Sequence, residues 1–465
     1  MTDDLSNDTI AAIATPIGTG GISVIRLSGP RAFEIGDKVF RSHKKVLLSS
    51  LPSHTVHYGE IRTDSGDVLD QVLVILFRAP RSYTGEDVVE ISSHGGLVVT
   101  RRILDLLIRS GARHAQPGEF TKRAFLNGKM DLTQAEAVLD VIKAKSDRAQ
   151  EAAVGQLTGL LSKKFRWIKD ELMHLHAHME ACLDFPDEHL EIESHDQMKQ
   201  RLRHVQDEIR RLIASFKRGA LLREGLVTVI VGKPNVGKSS LFNALLEKDR
   251  ALVSEYPGTT RDRLEELIEI DGMLIRLVDT AGLAPTSVHP LDRLGIEMTR
   301  QMLREGHLFL YIVDVSSPLE EADRVVYEEI RSLGKPILVL AGKCDLWKQL
   351  DFDALNRLTG GKKVLQISAK TRDGLSELEE EISAVVVDGH LEKAGEQITR
   401  LRHRNALEAA LDSLGRAEKG LEDAISLEFV IVDLKAALDA MRELIGEIYS
   451  EDLLDIIFSE FCIGK

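Results

Sequence analysis

The sequence has few of the features that extracellular, membrane-spanning or broadly nucleic-acid-binding proteins need. Its three cysteines, Cys182, Cys344 and Cys462, lie far apart among 465 residues, which predicts neither a disulfide framework nor a zinc site. No run of 18 apolar residues occurs, and the first residues, MTDDLSNDT, are polar and acidic. We therefore predict no membrane span and no signal peptide, and expect a cytoplasmic protein with reduced thiols.

Excess positive charge is also missing. The formal net charge of −14 opposes nonspecific binding to a phosphate backbone, and neither a basic stripe nor a KH-type signature is evident. Any contact with RNA must be local or shared with a partner. With 43% hydrophobic and 29% charged residues, the chain can bury several cores, which predicts two or three domains.

The apolar spacing changes along the chain and predicts a multidomain α/β and α+β protein. Short alternating segments such as GISVIRLSG and DQVLVILF indicate a compact α+β domain, helical spacing follows, and strands then alternate with helices before helical spacing returns. The alternation predicts a mainly parallel sheet, inserted into a helical domain that it splits. The predicted boundaries are 1–122 for the N-terminal domain, 123–222 and 387–465 for the two helical parts, and 223–386 for the α/β domain.

The strongest local motif is a phosphate-binding loop. Gly232-Lys233-Pro234-Asn235-Val236-Gly237-Lys238-Ser239 satisfies GxxxxGK[ST] between an apolar strand and a helical run, as the motif requires. Backbone N–H groups and the helix N-terminus would face the phosphates, Lys238 would reach the β and γ phosphates, and the Ser239 hydroxyl would ligate Mg²⁺.

Further elements follow in the order of a Ras-type GTPase. Thr259-Thr260 lies where a threonine completes the Mg²⁺ shell, and Asp279-Thr280-Ala281-Gly282 ends a strand, as a γ-phosphate sensor does. Asp345 of Gly342-Lys343-Cys344-Asp345 can accept hydrogen bonds from the guanine N1 and N2 donors, which favours GTP over ATP. Ser368-Ala369-Lys370 resembles the base-supporting loop of such proteins.

Two positions depart from the Ras-type pattern. Related GTPases usually have asparagine where this chain has Gly342, and glycine cannot help to fix the base and neighbouring loops. Leu283 stands where Ras-type proteins place a glutamine that orients the attacking water. Hydrolysis must therefore recruit another group.

The whole pattern resembles the MnmE family, also called TrmE. The resemblance rests on Gly258-Thr259-Thr260-Arg261-Asp262, Asp292-Arg293-Leu294-Gly295, the terminal Phe461-Cys462-Ile463-Gly464-Lys465, and N-terminal segments such as Tyr83-Thr84-Gly85-Glu86-Asp87 and Pro117-Gly118-Glu119-Phe120. It implies a tetrahydrofolate-binding N-terminal domain that forms a homodimer, and a GTPase domain that pairs across the dimer. The GTP contacts that it implies are Asn235, Val236, Gly237, Lys238, Ser239, Ser240, Ser254, Thr259, Thr260, Asp279, Thr280, Ala281, Gly282, Gly342, Lys343, Asp345, Ser368, Ala369 and Lys370.

The resemblance also implies the metal ions and the catalytic carboxylate. Mg²⁺ would be held by Ser239 and Thr260, and K⁺ by Asn235, Ser254, Tyr256 and Thr259. The alternative for Asn235 is that it only shapes its loop. The family's catalytic glutamate aligns with Asp292, whose side chain is one methylene shorter.

A second site is implied for a tetrahydrofolate derivative, 5-formyl or 5,10-methylene. It would use Arg26, Glu90, Lys129 and Lys465, since Arg and Lys suit the folate glutamate and Glu suits the pterin donors. Cys462 would assist methylene transfer. The alternative is a disordered tail with an idle thiol.

The function implied is GTP-driven modification of the wobble uridine (position 34) of tRNA. An FAD-dependent partner, MnmG (GidA), would join in a heterotetramer or larger complex, and an aminomethyl or carboxymethylaminomethyl group would be built at carbon 5. The rival interpretations are a GTP-dependent ribosome-assembly factor without covalent chemistry and a folate-dependent one-carbon transferase that GTP only regulates. His174, His176 and His178 are interpreted as a solvated helix face rather than a zinc site, and Asp184 to Glu188 as a helix break or an acidic surface rather than a metal site.

Overall fold

The computed structural model describes residues 8–184, 195–249, 265–279, 301–387, 395–423 and 425–465. The chain divides into two compact units. The N-terminal unit comprises Met1–Leu139, Gln156–Leu202 and Asp412–Lys465, and the central unit comprises Asp140–Gly155 and Arg203–Leu411. The four domain ranges that we predict from the sequence stay a prediction.

The secondary structure follows the order that the apolar spacing indicates. The strands are β1 (Ile10–Ile13), β2 (Ile22–Ser28), β3 (Phe40–Ser42), β4 (Thr55–Arg62), β5 (Val68–Phe77), β6 (Val88–His94), β7 (Arg113–His114), β8 (Leu226–Val231), β9 (Glu265–Ile270), β10 (Met273–Asp279), β11 (Leu308–Asp314), β12 (Ile337–Gly342) and β13 (Val364–Gln366). The helices are α1 (Ala32–Val39), α2 (Leu97–Arg109), α3 (Glu119–Leu126), α4 (Leu132–Lys143), α5 (Asp147–Leu157), α6 (Leu160–Asp184), α7 (His195–Glu224), α8 (Lys238–Asp249), α9 (Glu321–Ser332), α10 (Phe352–Thr359), α11 (Leu375–Val387), α12 (Leu401–Glu422), α13 (Leu427–Ile445) and α14 (Glu451–Ser459), with a 3₁₀ turn at Leu48–Ser50.

The N-terminal unit contains a sheet in the order β3-β4-β5-β6-β2-β1-β7. Its neighbouring strands are antiparallel except for β1 and β7, which are parallel. Along β5, Val72, Val74 and Leu76 are buried at every second position, the period of a strand with one covered face. These side chains and those of α1 and α2 form one core. The α+β architecture expected for this part of the chain is present.

A second core of the same unit lies between helices. It joins Phe125, Leu132 and Ala135 of α3 and α4 to Ile457 and Phe458 of α14. Helix α6 also packs along α13 in this unit. The helical spacing of apolar residues accounts for these contacts, because residues three and four apart share one face of a helix.

The central unit contains a sheet in the order β13-β12-β11-β8-β10-β9. Only β9 runs antiparallel to its neighbour, β10. Every residue of β8 is buried, because hydrophobic cores cover both faces of the sheet. In a parallel sheet the carboxyl ends of the strands meet at one edge, where ligands bind in folds of this kind. The mainly parallel sheet that the sequence predicts is therefore present.

The length and apolar character of the helices also bear on a membrane location. Among the helices of the described ranges, none is both long and apolar enough to cross a bilayer.

Candidate functional site

The glycine-rich loop lies between β8 and α8 and is shaped by its backbone. Asn235 and Gly237 have positive φ angles of 65° and 106°. A side chain at Gly232 would place its Cβ 2.5 Å from the carbonyl oxygen of Ile312, so only glycine fits there. Because the chain turns tightly into the N-terminus of α8, this loop has the geometry of an anion-binding turn.

Lys238 crosses this loop. Its Nζ donates to the carbonyl oxygens of Gly232 and Lys233, each at 2.9 Å. Burial lowers the pKa of Lys238, and the carboxylate of Asp279 partly offsets that effect. The ammonium group is thus held over the position where the motif places phosphates.

Two oxygen ligands for a divalent cation lie beside the loop. Ser239 Oγ donates to Asp279 Oδ2 at 2.7 Å, and Asp279 is the last residue of β10, the parallel neighbour of β8. Hydroxyl and carboxylate oxygens at this separation are the ligands that Mg²⁺ prefers, directly or through water. The residues present therefore fit a magnesium ion. Thr260, the other predicted ligand, lies outside the described residues.

The loop that we predict to recognise the base follows β12. Ser368 is fully buried, and its Oγ donates to Asp345 Oδ1 at 2.7 Å, which fixes the exposed carboxylate of Asp345. Lys343 Nζ donates to the carbonyl oxygen of Asn235 at 2.8 Å, so the base loop and the glycine-rich loop are joined directly. Ala369 and Lys370 continue the Ser368 turn.

The remaining predicted nucleotide contacts are of two kinds. Val236 is buried in the core under the loop, and Ser240 is exposed in the first turn of α8. The others, namely Ser254, Thr259, Thr260, Thr280, Ala281 and Gly282, lie outside the described residues. So do the predicted potassium ligand Tyr256, the predicted catalytic Asp292, and Leu283. The switch, potassium and catalytic-carboxylate assignments that depend on them stay predictions.

A second polar site lies on the sheet of the N-terminal unit. Arg26 on β2 and Glu90 on β6 are register partners, and Arg26 Nε donates to Glu90 Oε1 at 2.7 Å. The Arg26 guanidinium also lies over the rings of Tyr83 and Phe120, 5.3 and 5.6 Å from their centroids. Arg26 and Glu90 are thus fixed by charge and by aromatic packing together.

The C-terminal tail reaches this site. Gly118 N–H donates to Cys462 O at 3.4 Å, and Phe120 N–H donates to Lys465 O at 3.2 Å. Burial lowers the pKa of Lys465, as does the nearby Arg26, while Glu90 and Cys462 act in the opposite direction. The tail is therefore docked, which contradicts the alternative of a disordered tail, and the Cys462 thiol is exposed beside Lys465.

Lys129 is placed differently from the other predicted folate contacts. Its Nζ donates to the carbonyl oxygen of Pro80 at 3.0 Å. It thus contacts the loop that carries Tyr83 rather than the Arg26–Glu90 pair itself. Its role toward a ligand stays a prediction.

A buried charge network in the same unit was not predicted from the sequence. Arg123 and Glu119 are almost fully buried, and they pair with each other at 2.9 Å. Asp8, Glu86 and Arg113 complete the network, in which Arg113 Nη2 donates to Glu119 Oε1 at 2.6 Å. Asp8 and Glu86 lie far in sequence from the segment that holds Arg113, Glu119 and Arg123, so spacing alone could not have identified the network.

The histidines of α6 do not form a metal centre in the described part of the chain. His176 Nδ1 lies 3.5 Å from Glu180 Oε2, the next turn of the same helix. No group of three or more His, Cys, Asp or Glu side chains suited to a metal ion occurs among the residues described. Asp184 ends α6, and Phe185 to Glu188 lie outside the described ranges.

The loop, Lys238, the Ser239–Asp279 pair and the Ser368–Asp345 pair share one edge of a mainly parallel sheet, which defines a P-loop nucleotide-binding protein. The family model described as GTP-binding protein TrmE N-terminus matches residues 9–129, and that of the MnmE helical domain matches residues 132–462. The chain belongs to the MnmE family of tRNA modification GTPases. The resemblance inferred from the sequence is confirmed.

Individual relatives agree over the full length. Proteins named tRNA modification GTPase MnmE are 44% identical in Alkaliphilus metalliredigens, over 99% of this chain and 99% of that protein, and 42% identical in Bacillus velezensis, over 98% and 100%. The Bacillus subtilis protein of that name is 41% identical over 98% and 100%. A solved structure of an Aquifex aeolicus Era variant bound to GDP.AlF4- matches 40% of this chain and 66% of that chain, with 27% identity and a TM-score of 0.29.

Proposed function

We propose that this chain hydrolyses GTP and that hydrolysis drives modification of the wobble uridine, position 34, of tRNA. The proposal that the chain binds and hydrolyses GTP rests on one observation. Lys238, the Ser239–Asp279 pair and the Ser368–Asp345 pair lie at the same edge of the sheet. The full-length similarity to proteins named tRNA modification GTPase supports the tRNA part. An MnmG-type, FAD-dependent partner would share the reaction, which adds an aminomethyl or carboxymethylaminomethyl group at carbon 5.

The P-loop side chains would bind and orient the phosphates. Lys238 would exchange its two carbonyl acceptors for phosphate oxygens, which carry full negative charge and bind an ammonium group more strongly. Ser239 and Asp279 already share a hydrogen bond, so they would need little rearrangement to hold Mg²⁺. When bound, this ion stabilises negative charge on the phosphoryl oxygens.

Asp345 would select guanine. One of its carboxylate oxygens is held by Ser368, and the exposed carboxylate can accept the two donors of the guanine Watson–Crick edge. Adenine has no such pair of donors. This arrangement supports a preference for GTP over ATP.

The proposed roles of potassium and Asp292 in hydrolysis rest on the resemblance to the MnmE family. Asn235, the one predicted potassium ligand within the described residues, is exposed in a left-handed backbone conformation. Its side chain is therefore accessible to a cation near the phosphates. When bound, K⁺ would add positive charge during hydrolysis. Asp292 would position the attacking water, and pairing of two central units would complete the site.

The Arg26–Glu90 site would bind the tetrahydrofolate derivative. Arg26 and Lys465 offer positive charge to the folate glutamate, and Glu90 offers an acceptor to the pterin donors. The docked tail brings the exposed Cys462 thiol to the same place, so the residues present fit this ligand. The folate would supply the methylene carbon, with Lys129 at the edge of the site.

The test of GTP hydrolysis is a steady-state rate measurement in K⁺ and Na⁺ buffers of equal ionic strength, with ATP as the alternative substrate. We expect faster GTP hydrolysis in K⁺ and little ATP hydrolysis. Equal rates in the two salts would remove Asn235 and potassium from the proposal. Equal rates for GTP and ATP would contradict the role of Asp345.

Two variants sharpen this test. Lys238→Ala should lower the GTP hydrolysis rate about 10²–10³-fold, the range for loss of one preorganised electrostatic group. Lys362→Ala, an exposed lysine of the same unit, is the matched control and should keep the wild-type rate. Asp345→Asn should shift the preference from GTP to XTP, because an amide can donate to the carbonyl oxygen that xanthine carries at carbon 2.

The tRNA and folate parts need their own assays. With an MnmG-type partner, tRNA and 5,10-methylenetetrahydrofolate, we expect modified uridine 34 by mass spectrometry of nucleosides. Glu90→Gln should weaken binding of 5-formyltetrahydrofolate in calorimetry while GTP hydrolysis stays intact. Unchanged folate affinity in this variant would remove Glu90 from the site.

A further inference from the structure

The base loop begins at a residue without a side chain. Gly342 ends β12, and a Cβ at this position would lie 2.8 Å from Ile312 Cδ1 and 3.0 Å from Ile312 Cγ1. The Ile312 side chain therefore fills the space that a larger residue at 342 would need. No side chain from position 342 can join the base loop to the glycine-rich loop, so this connection must come from elsewhere.

Lys343 supplies the connection. Its Nζ donates to Asn235 O at 2.8 Å and to Asp314 Oδ2 at 2.6 Å. Lys343 and Asn235 both have positive φ angles, 60° and 65°. This backbone conformation is costly for a residue with a Cβ, so the surrounding structure must support it. The bond between them joins the glycine-rich loop to the loop that carries Asp345.

Asp314 holds the Lys343 side chain in place. It ends β11 and is the register partner of Gly342 on β12. Its Oδ1 accepts hydrogen bonds from Ser316 N–H at 2.8 Å and Ser316 Oγ at 2.6 Å, which leaves Oδ2 for Lys343. Only 11% of the Asp314 side chain is exposed, compared with 34% for Lys343. The carboxylate is thus held by its own turn, and the more exposed lysine is held by the carboxylate.

We propose that Asp314 is a positioning residue for guanine-nucleotide binding, which acts by holding Lys343 across the gap between the base loop and the glycine-rich loop. The inference rests on the proposed function of this site as a GTP site. Asp314 would not touch the nucleotide. It fixes Lys343, which fixes the start of the loop that carries Asp345, at the position where Gly342 offers no side chain.

Charge supports this role over a purely structural one. Burial alone would raise the pKa of Asp314, but the bonds from Lys343 and Ser316 outweigh it and lower the pKa of this carboxyl. The carboxylate is therefore ionised when nucleotide binds. An ionised acceptor holds an ammonium group in one geometry more firmly than a neutral amide would.

The experiment measures how fast a fluorescent GDP analogue, mant-GDP, dissociates from the full-length protein. Asp314→Asn keeps the shape of the side chain and removes its charge. We expect dissociation about tenfold faster than in the wild type, the effect of one hydrogen bond to a charged group. Asp353→Asn, an exposed aspartate of the same unit, is the matched control and should dissociate at the wild-type rate.

A double-mutant cycle separates positioning from general stabilisation. If Asp314 acts through Lys343, adding Asp314→Asn to Lys343→Met should change the dissociation rate less than about twofold. Fully additive effects, or equal rates for Asp314→Asn and the wild type, would overturn the proposal. Should Asp314→Asn fail to fold, Ser316→Ala removes one support of the carboxylate. That variant should dissociate about threefold faster, and an unchanged rate would count against the proposal.

Failure of this inference differs from failure of the proposed function. A wild-type protein that retains mant-GDP but not mant-ADP has a guanine site, whatever Asp314 does. A wild-type protein that retains neither lacks the proposed function, and the positioning role is overturned with it. In steady-state hydrolysis, Asp314→Asn should raise KM for GTP by a larger factor than it lowers kcat, since it disturbs binding geometry rather than the reacting phosphate.

Discussion

In the central unit the candidate site residues come from the ends of neighbouring parallel strands, whereas in the N-terminal unit Arg26 and Glu90 face each other from within antiparallel strands. The nucleotide site is therefore shaped mainly by turns and by backbone carbonyl groups, to which Lys238 and Lys343 donate. The N-terminal site is shaped by pairs of charged side chains. Binding at the nucleotide site should therefore be sensitive to changes in the backbone. Binding at the N-terminal site should be sensitive to the loss of one charged side chain.

The largest effect should come from breaking the buried network of the N-terminal unit. Arg123 pairs with Asp8, Glu86 and Glu119 and is only 2% exposed. Arg123→Met would remove the arginine partner of Glu86 and leave Asp8 and the buried Glu119 with Arg113 alone. We expect a loss of about 3–5 kcal/mol in the free energy of unfolding of this unit, measured by urea denaturation.

Tryptophan fluorescence can report on this unit alone. Trp167 lies on α6, and Trp347, in the central unit, is 85% exposed, so Trp347→Phe provides a background with one reporter. Arg31→Met is the matched control, because Arg31 pairs with Glu34 at the surface. Its urea midpoint should stay near that of the parent. An equal shift in both variants would contradict the distinction between buried and exposed pairs.

A smaller effect should follow from a change in the C-terminal tail. Gly464 has a φ of 99°, and a Cβ there would lie 2.2 Å from the carbonyl oxygen of Ile13. Gly464→Ala should therefore move the tail and Lys465 away from Arg26 and Glu90. We expect folate affinity to fall about tenfold, the size of one strained backbone position, in calorimetry with 5-formyltetrahydrofolate.

The control for this prediction is another glycine-to-alanine change. Gly415 lies within α12, and no atom lies within 4 Å of a Cβ built there. Gly415→Ala should keep folate affinity at the wild-type level. If Gly464→Ala also leaves the affinity unchanged, the docked tail does not contribute to the ligand site.

The two sites also differ in how far the sequence alone could lead. The glycine-rich loop is a contiguous motif whose residues have roles fixed by phosphate chemistry, so Lys238 and Ser239 could be singled out from spacing. Asp279, Asp345 and Ser368 follow because parallel strands end at the same edge. The parallel sheet itself was predictable, because alternating strands and helices leave few other topologies.

Contacts between residues on paired antiparallel strands could not be predicted from motif spacing. Arg26 and Glu90 are 64 positions apart, and their pairing depends on the register between β2 and β6. Spacing did not find them, and the family resemblance did. The Asp8–Arg123 contact and the Asp314–Lys343 contact were missed altogether, because each joins segments that approach only after the sheet has formed.

The smallest predicted effect concerns acid. Burial alone would raise the pKa values of Asp8 and Glu119, but their bonds to Arg113 and Arg123 outweigh it and lower both below the ordinary 3.8 and 4.5. Their stabilising contribution is therefore complete above about pH 4.5 and declines as the pH falls through the lowered values. The urea midpoint of the N-terminal unit should stay constant from pH 7 to pH 5 and decrease below about pH 4.5.

Salt and substitution distinguish this source of acid sensitivity from surface charge. High salt screens exposed pairs such as Arg31–Glu34 but acts weakly on a network whose central residues, Glu119 and Arg123, are nearly inaccessible to solvent. The decrease in the urea midpoint below pH 4.5 should thus persist in 0.5 M NaCl, where the screening length is about 4 Å. In Arg123→Met the same decrease should become shallower. A decrease that salt abolishes, or that Arg123→Met leaves unchanged, would place the titrating carboxylates at the surface instead.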